Sequence, residues 1–341
     1  MKKIKPIHLL LVLTLLLTTL CACGQSPGRE PSSSGDRANV HVGLIMGPPS
    51  MGLGWFMNQV EQGNTYHNYQ FTVDGTDYSK LAASLNDGTY DLITCPSNIA
   101  AILANNEDLK TSVKVISINN TGLLYILTTD PSISSLSDLK GKNLYAIGEG
   151  GTPEYTLQYV LRKNHMEKEV NLSFKSTPFE VLNFLEKEPN SVAMLPQPFV
   201  EVAKTMVPGL KVPIDLTEEW GKVEKKAEAI TAVTVVREDF LADHEEAVLE
   251  YLSMSRQSTD YTNSHVEQAA KWTEDYDTFL NPEIAKTALP KCNIVTITGE
   301  SMKEKVSGFL QILLELDPAS VGGSLPKDSF YYLPPEGSDL R

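Results

Sequence analysis

From Asn39 onward, short β-rich runs take turns with stretches whose apolar residues recur at helical spacing, and this alternation constrains the chain more than any other feature. Such a pattern specifies a wound α/β fold, in which a largely parallel sheet is covered by the helices that connect its strands. Strands are expected at residues 40–46, 69–73, 90–94 and 112–118. Between the first two, Leu53, Phe56, Met57 and Val60 fall at i, i+3, i+4 and i+7, the buried stripe of a helix begun near Ser50. A second helix is expected over residues 77–85 and a third after Pro96-Ser97-Asn98. A second α/β series runs from about residue 131 to 226, with strands near 143–147, 170–174, 191–195 and 210–214. Its helices are expected to start near Thr152, Pro178, Pro198 and Thr217. The apolar run at 230–236 returns the chain, after which the pattern is almost wholly helical. There, Met302, Val306, Phe309, Leu310, Leu313 and Leu314 mark the clearest amphipathic helix. The expected architecture is therefore two-lobed: residues 39–127 with 234–341 as one lobe and 128–233 as a second, inserted lobe. Extended crossings at 123–128 and 230–236 would form the hinge. No internal repeat is visible.

Ahead of this region, residues 1–22 read as an export signal: Lys2, Lys3 and Lys5 precede an apolar stretch, 8–20, too short to span a bilayer. The stretch ends in Leu20-Cys21-Ala22-Cys23, which resembles a bacterial lipobox. Cys23 is the expected lipidation site, because Cys21 would have bulky Leu20 at its cleavage position. An ordinary secretory signal with incidental cysteines is the alternative. A lipidated Cys23 would anchor the chain to the extracytoplasmic face of a bacterial cell membrane without spanning it. Residues 24–38 hold almost nothing apolar, so with Cys23 they read as a flexible tether.

The net charge is −14, and removing the three signal lysines takes it to about −17. No basic patch is available to meet phosphates, which excludes nucleic acid as a partner and binding to anionic lipid by charge. Beyond Cys21 and Cys23 only Cys95 and Cys292 remain, far apart and without neighbours at metal-ligand spacing, so no metal site is expected. A disulfide between them and two buried free thiols both stay open.

In wound sheets a ligand lies beyond the carboxyl ends of the strands, where loops feed helix N-termini. Five loops qualify. Met46-Gly47-Pro48-Pro49-Ser50-Met51-Gly52 leads toward Trp55, with glycines for close approach and Ser50 as a cap whose helix amides attract an anion. Thr94-Cys95-Pro96-Ser97-Asn98 follows the third strand, and Asn119-Asn120-Thr121-Gly122 lies between two strongly apolar strands. In the inserted lobe come Gly148-Glu149-Gly150-Gly151-Thr152-Pro153-Glu154-Tyr155 and Met194-Leu195-Pro196-Gln197-Pro198. Thr152 as N-cap with Pro153 at the first helical position is a strong helix start, with Glu154 in the first turn. The ligand contacts expected from these loops are Pro49, Ser50, Met51, Trp55, Ser97, Asn98, Asn120, Thr121, Gly151, Thr152, Glu154, Tyr155, Pro196 and Gln197. Taken singly, each has a structural role that suffices: Ser50, Ser97 and Thr152 as caps, the glycines as turn formers, Glu154 as a dipole partner.

Catalytic signatures mostly fail. Two residues rather than one separate Gly47 from Ser50, so this is no nucleophile elbow. The glycines at 148–151 lack the Lys-Ser/Thr of a phosphate loop and the spacing of a dinucleotide fingerprint. His41, His67, His165, His244 and His265 fall in no catalytic or metal motif. No catalytic residue and no cofactor is therefore expected.

Over essentially the whole mature chain, the sequence resembles the nitrate/sulfonate/taurine and thiamine-precursor group of ABC solute-binding lipoproteins. Gly47-Pro48-Pro49-Ser50-Met51-Gly52, Ser137-Asp138-Leu139-Lys140-Gly141-Lys142, Gly150-Gly151-Thr152-Pro153-Glu154-Tyr155, Ala193-Met194-Leu195-Pro196-Gln197-Pro198 and Ala288-Leu289-Pro290 carry the resemblance. It implies the type II periplasmic-binding fold, a monomer whose two lobes close on a small organic solute, and delivery to an ABC permease driven by a separate ATPase. Sulfonate and nitrate binders hold an oxyanion, yet the five loops contain no Arg or Lys. A neutral or heteroaromatic solute, stacked on Trp55, Tyr155 or Trp220 and hydrogen-bonded by Asn98, Asn120 or Glu154, fits the residue types better. Those aromatics also suit a core. Two alternatives remain: a vitamin-precursor enzyme on the same fold, for which Cys95 and Glu154 are the candidates, and a ligand-sensing lipoprotein not coupled to transport.

Overall fold

The computed structural model describes residues 37–75, 77–279 and 281–340, and residues 38–341 form one compact unit. The expected signal, the Cys23 lipidation site and the tether up to residue 36 lie outside the described residues. Eleven strands build two sheets among the described residues. They are β1 (Asn39–Leu44), β2 (Asn68–Val73), β3 (Leu92–Pro96), β4 (Val113–Thr121), β5 (Leu124–Thr128), β6 (Asn143–Ala146), β7 (Asn171–Phe174), β8 (Val192–Pro196), β9 (Lys211–Asp215), β10 (Ile230–Arg237) and β11 (Ile294–Ile297). The helices are α1 (Pro48–Met51), α2 (Gly54–Glu61), α3 (Tyr78–Asp87), α4 (Ser97–Asn105), α5 (Thr152–Lys163), α6 (Pro178–Lys187), α7 (Phe199–Met206), α8 (Leu216–Val223), α9 (Glu238–Asp243), α10 (Glu245–Ser264), α11 (Val266–Asp275), α12 (Pro282–Ala288) and α13 (Gly299–Leu316).

The first sheet has the order β11-β4-β10-β3-β1-β2 and the second β7-β6-β8-β5-β9. Each has a parallel part, β2 with β1 and β3 in the first, β7 with β6 and β8 in the second. Each is completed by antiparallel strands, β10 and β11 in the first and β5 and β9 in the second. Parallel strands covered on both faces read as continuous apolar runs, and every residue of β3 is buried. By its pairing with β8 and β9, β5 belongs to the second sheet, so the chain passes between sheets just before Leu124 and again before Ile230. The expected crossing at 123–128 is thus mostly a central strand of the second sheet, and that at 230–236 a central strand of the first.

Gly122, in the first passage, faces Thr217 so closely that an added Cβ would meet its Oγ1 and Cγ2 at 2.4 and 3.0 Å. Only glycine fits this approach without displacement.

Of the stripe read along α13, Met302, Val306, Phe309, Leu310 and Leu313 are buried, and Leu314 is half-buried against the same core. They join a single apolar cluster holding Val115 and Val233 of the first sheet with Ile126, Leu144 and Met194 of the second. Phe309 also meets Trp220 of α8 at 5.5 Å between centroids, tying the C-terminal helix to the helix that follows the second sheet. Truncating this ring removes contacts on both sides. Phe309→Ala should therefore destabilise the protein by about 3–5 kcal/mol, read as a lower urea midpoint of the tryptophan fluorescence transition. A midpoint unchanged from wild type would show that the two sides do not depend on this contact.

Candidate functional site

A cavity of about 320 Å³ lies between the two sheets, within the range of small-ligand sites. Loops leaving β1, β3, β6, β7 and β8 supply its walls, and Leu123, Leu124, Thr231 and Ala232 complete it from the two passages. Every one of those five loops follows the carboxyl end of a strand, where an open α/β sheet leaves room for a ligand. After β1, Ile45 donates its amide to Thr94 Oγ1 (3.0 Å). Gly47, at φ +118°, then turns the chain so that its carbonyl accepts from the amides of Ser50 (3.0 Å) and Met51 (2.9 Å). That φ is open to glycine and strained for other residues.

Of the residues singled out in the sequence, Pro49, Pro196 and Gln197 line this cavity. Ser50 is not a cap: α1 begins at Pro48, and the fully buried Ser50 hydroxyl donates back to Gly47 O (2.9 Å). Met51 packs in a cluster with α11 and α12 residues. Trp55 stacks on Tyr261 with centroids 6.3 Å apart, and Trp220 is buried against Tyr159 and Phe309. Tyr155 packs on the main core. The expected polar loop at 119–122 is mostly strand, because β4 continues its pairing with β10 to Thr121. There Asn119 Oδ1 accepts from Thr234 Oγ1 (2.9 Å), Asn120 Nδ2 donates to Cys292 O (3.0 Å), and Thr121 O accepts from Thr231 Oγ1 (2.8 Å). The Asn119 and Asn120 side chains are thus engaged within the protein, and none of these three residues lines the cavity.

Ser97, Asn98, Gly151, Thr152 and Glu154 sit beside the cavity in a different capacity. Gly151, not Thr152, is the N-cap of α5. Thr152 Oγ1 instead reaches across to donate to Asn98 Oδ1 (3.0 Å), while Asn98 Nδ2 donates to Gly150 O (2.9 Å) and Ser320 O (3.3 Å). Ser97 Oγ donates to Ile230 O (2.7 Å) and lies 3.5 Å from Thr152 Oγ1. Helix α4, which follows β3 of the first sheet, is thus tied to the glycine loop after β6 of the second. Glu154 accepts from the Gly150 amide (2.6 Å) and from Gln158 Nε2 (2.7 Å), locking that loop.

A second tie crosses through Glu201 at the start of α7. Its Oε1 accepts from Lys291 (2.7 Å), which follows α12, as well as from Lys204 (2.9 Å) and Gln197 Nε2 (3.2 Å). Burial raises the carboxyl's pKa, but the three hydrogen bonds outweigh it and hold the group below its ordinary value of 4.5. The same carboxylate therefore orients the amide of a cavity residue and holds a lysine of the opposite side.

Residues that sequence reading missed are Tyr78, Glu149, Phe174, Lys175, Ser176 and Phe199, all in the lining. The loop after β7 obeys the same strand-end rule as the five chosen. Its signal was present, and it brings into the lining Lys175, a basic residue of a kind the five chosen loops lack. Cys95 also lines the cavity; it and Cys292 are free and buried. Burial pushes the Cys95 thiol up to about 12, so it is no thiolate nucleophile at neutral pH. Among the described residues no cluster of His, Cys, Asp or Glu is arranged to hold a metal.

Two α/β sheets with a cavity at their facing strand ends, and a helical C-terminal region closing over the first, define the type II periplasmic-binding fold. The NMT1/THI5-like family model matches residues 73–269, and the chain belongs to that family. Solved structures share the fold at low identity. One, an ABC transporter structure from Parabacteroides distasonis, has 22% identity and a TM-score of 0.67, over 87% of this chain and 99% of that one. The alkanesulfonate-binding protein SsuA from Xanthomonas axonopodis pv. citri, bound to MOPS, has 13% identity and a TM-score of 0.67, covering 88% and 100%. The periplasmic aliphatic sulphonate binding protein SsuA from Escherichia coli has 14% identity and a TM-score of 0.67, covering 84% and 95%. No curated protein matches the sequence.

The depressed Glu201 pKa fixes the sign of a pH effect. A carboxyl lowered in the folded state adds stability above its unfolded value of 4.5, and that contribution fades as pH falls through the folded value. Glu201→Gln should lower the melting temperature by a constant amount from about pH 7 to about pH 5 and by a shrinking amount below that. Melting curves across this range check it; a gap independent of pH would show that the ion pair with Lys291 contributes nothing.

Proposed function

We propose that this chain is the extracytoplasmic solute receptor of an ABC importer, anchored through Cys23, which captures one small organic molecule between its sheets and presents the closed form to a permease with a separate ATPase. The observation that carries this reading is the cavity itself, walled by strand-end loops of both sheets and spanned by Asn98–Thr152 and Glu201–Lys291 contacts. A ligand there touches both halves at once, so it stabilises the closed arrangement by its differential affinity for it. Residues 39–123 with 230–341, and 124–229, then act as two lobes that separate about the passages near Gly122 and before Ile230. Family membership supports the reading, as do the ABC transport and sulfonate-binding descriptions of the fold neighbours. A protonated, buried Cys95 and a cavity lining without histidine argue against chemistry on the solute.

The test is to purify the protein from its host, denature it and identify the released solute by mass spectrometry, then add that solute back. The expected outcome is recovery of one unmodified compound that raises the melting temperature saturably, worth about 2.7 kcal/mol at a hundredfold excess over Kd. Recovery of a chemically altered compound after incubation would instead establish an enzyme. For the anchor, Cys23→Ser should move the protein from the membrane to the soluble fraction and abolish incorporation of labelled palmitate.

A further inference from the structure

We propose that the free edge of β2 is a docking site for an extended polypeptide segment bearing a basic side chain, which joins the first sheet as an added strand. This edge lies apart from the cavity, and its role does not depend on what the cavity binds.

β2 ends the first sheet, and among the described residues no strand pairs with its outer side. Its inner side is fixed by the parallel ladder with β1, in which Asn39 stands opposite Asn68 and Leu44 opposite Val73. At the two ends of that ladder, Asn68 N donates to Ala38 O and Asp74 N donates to Leu44 O, both at 2.9 Å. In a parallel ladder, residues that bond to one neighbour alternate with residues whose backbone groups point to the other side. The even-numbered residues of β2 therefore serve β1, and the amides and carbonyls of Tyr69, Phe71 and Val73 point away from it. No hydrogen bond among the described residues reaches these backbone groups.

Beside that edge runs a trough of about 520 Å³. Residues 69–73 form one wall, Met57, Val60 and Glu61 of α2 form a second, and Tyr276 with Asp277, just past α11, bound it. A trough that follows five successive strand residues has the shape of an extended chain. The Phe71 ring meets Phe56 of α2 at 5.1 Å between centroids, so the outward backbone belongs to a strand anchored in the core. Edge strands are commonly guarded by a lysine, a proline, a bulge or a covering segment. Asn68 to Val73 contain no charge and no proline, and their ladder with β1 runs without a bulge. The edge thus keeps the template that strand addition uses, with main-chain bonds for affinity and side-chain contacts for choice of partner.

Charge selects the partner. The trough lining holds two exposed carboxylates, Glu61 and Asp277, and no basic residue. Glu61 accepts from the Tyr276 hydroxyl (2.9 Å), which holds it at the trough wall. The chain as a whole carries a net charge of −14, so its field favours a cationic segment and opposes a second copy of itself at this edge.

The probes are three capped hexapeptides: one alternating valine with lysine, its counterpart with glutamate for lysine, and the lysine peptide N-methylated at every residue. Each is titrated into isotope-labelled residues 38–341, which form one compact unit, and the backbone amides are followed by NMR. The lysine peptide should shift the Phe71 and Val73 amides downfield and saturably, while Gln70 and Thr72, bonded to β1, move little. The glutamate peptide should bind about fivefold more weakly or worse, and Asp277→Asn should narrow that gap about twofold. Asparagine suits the left-handed backbone of Asp277, at φ 54°, so the fold is retained. Val73→Pro removes one outward amide, leaves the ladder to β1 intact, and should weaken the lysine peptide about fivefold or more. If that variant does not fold, the N-methylated peptide asks the same question. Equal binding of the N-methylated and plain lysine peptides would overturn strand addition, and equal binding of the glutamate peptide would overturn the charge assignment. Shifts of the same amides with protein concentration alone would show that a second copy covers the edge instead. A lysine peptide that moves neither Phe71 nor Val73 would sink the proposal and leave the solute-receptor reading untouched.

Discussion

Of the two ties that hold the halves of the cavity in register, the more constraining is a single buried amide. Asn98, fully buried at the start of α4, receives the Thr152 hydroxyl and donates to Gly150 O and Ser320 O. A buried carboxamide left unsatisfied is expensive, and every one of these partners lies far away in sequence. Gly150 and Thr152 belong to the loop after β6, while Ser320 follows α13. The amide is satisfied only when the second sheet, the first sheet and the C-terminal segment have all reached their final places. Its side chain therefore reports on closure more directly than any apolar contact, since apolar contacts tolerate small displacements and a network of directed bonds does not.

Much of this fold was written in local pattern. Covered strands must be apolar and extended, and helices on a sheet must show a stripe, so the runs expected at 40–46, 90–94 and 230–236 and the stripe along α13 were legible to within a few residues without any tertiary information. What escaped was decided by partners distant in sequence. Asn119 and Asn120 resemble a polar turn until β10 and the Cys292 carbonyl supply their partners. Thr152 resembles a cap because Ser, Thr and Pro mark helix starts, yet a backbone glycine suffices there, and the hydroxyl is worth more to Asn98 across the cavity. Trp55 resembles a stacking platform and does stack, but on Tyr261 of α10 rather than a ligand. Strand-end loops could be named from the sequence. Which side chain of each loop turns inward could not, because that depends on the opposite wall.

Glu201 shows how the electrostatics of the cavity and its closure are one problem. Because it is ionised and pinned by Lys204 and Lys291, it can only accept, so the Gln197 amide must present its nitrogen to it. Gln197 Oε1 is left buried without a partner among the described residues. The polar character of this cavity residue is thereby fixed by a lysine from the other side, and separating the sheets would remove Lys291 and loosen that choice. An acid in the first turn of α7 thus compensates the helix dipole, orients a neighbouring amide and takes part in the closing contact.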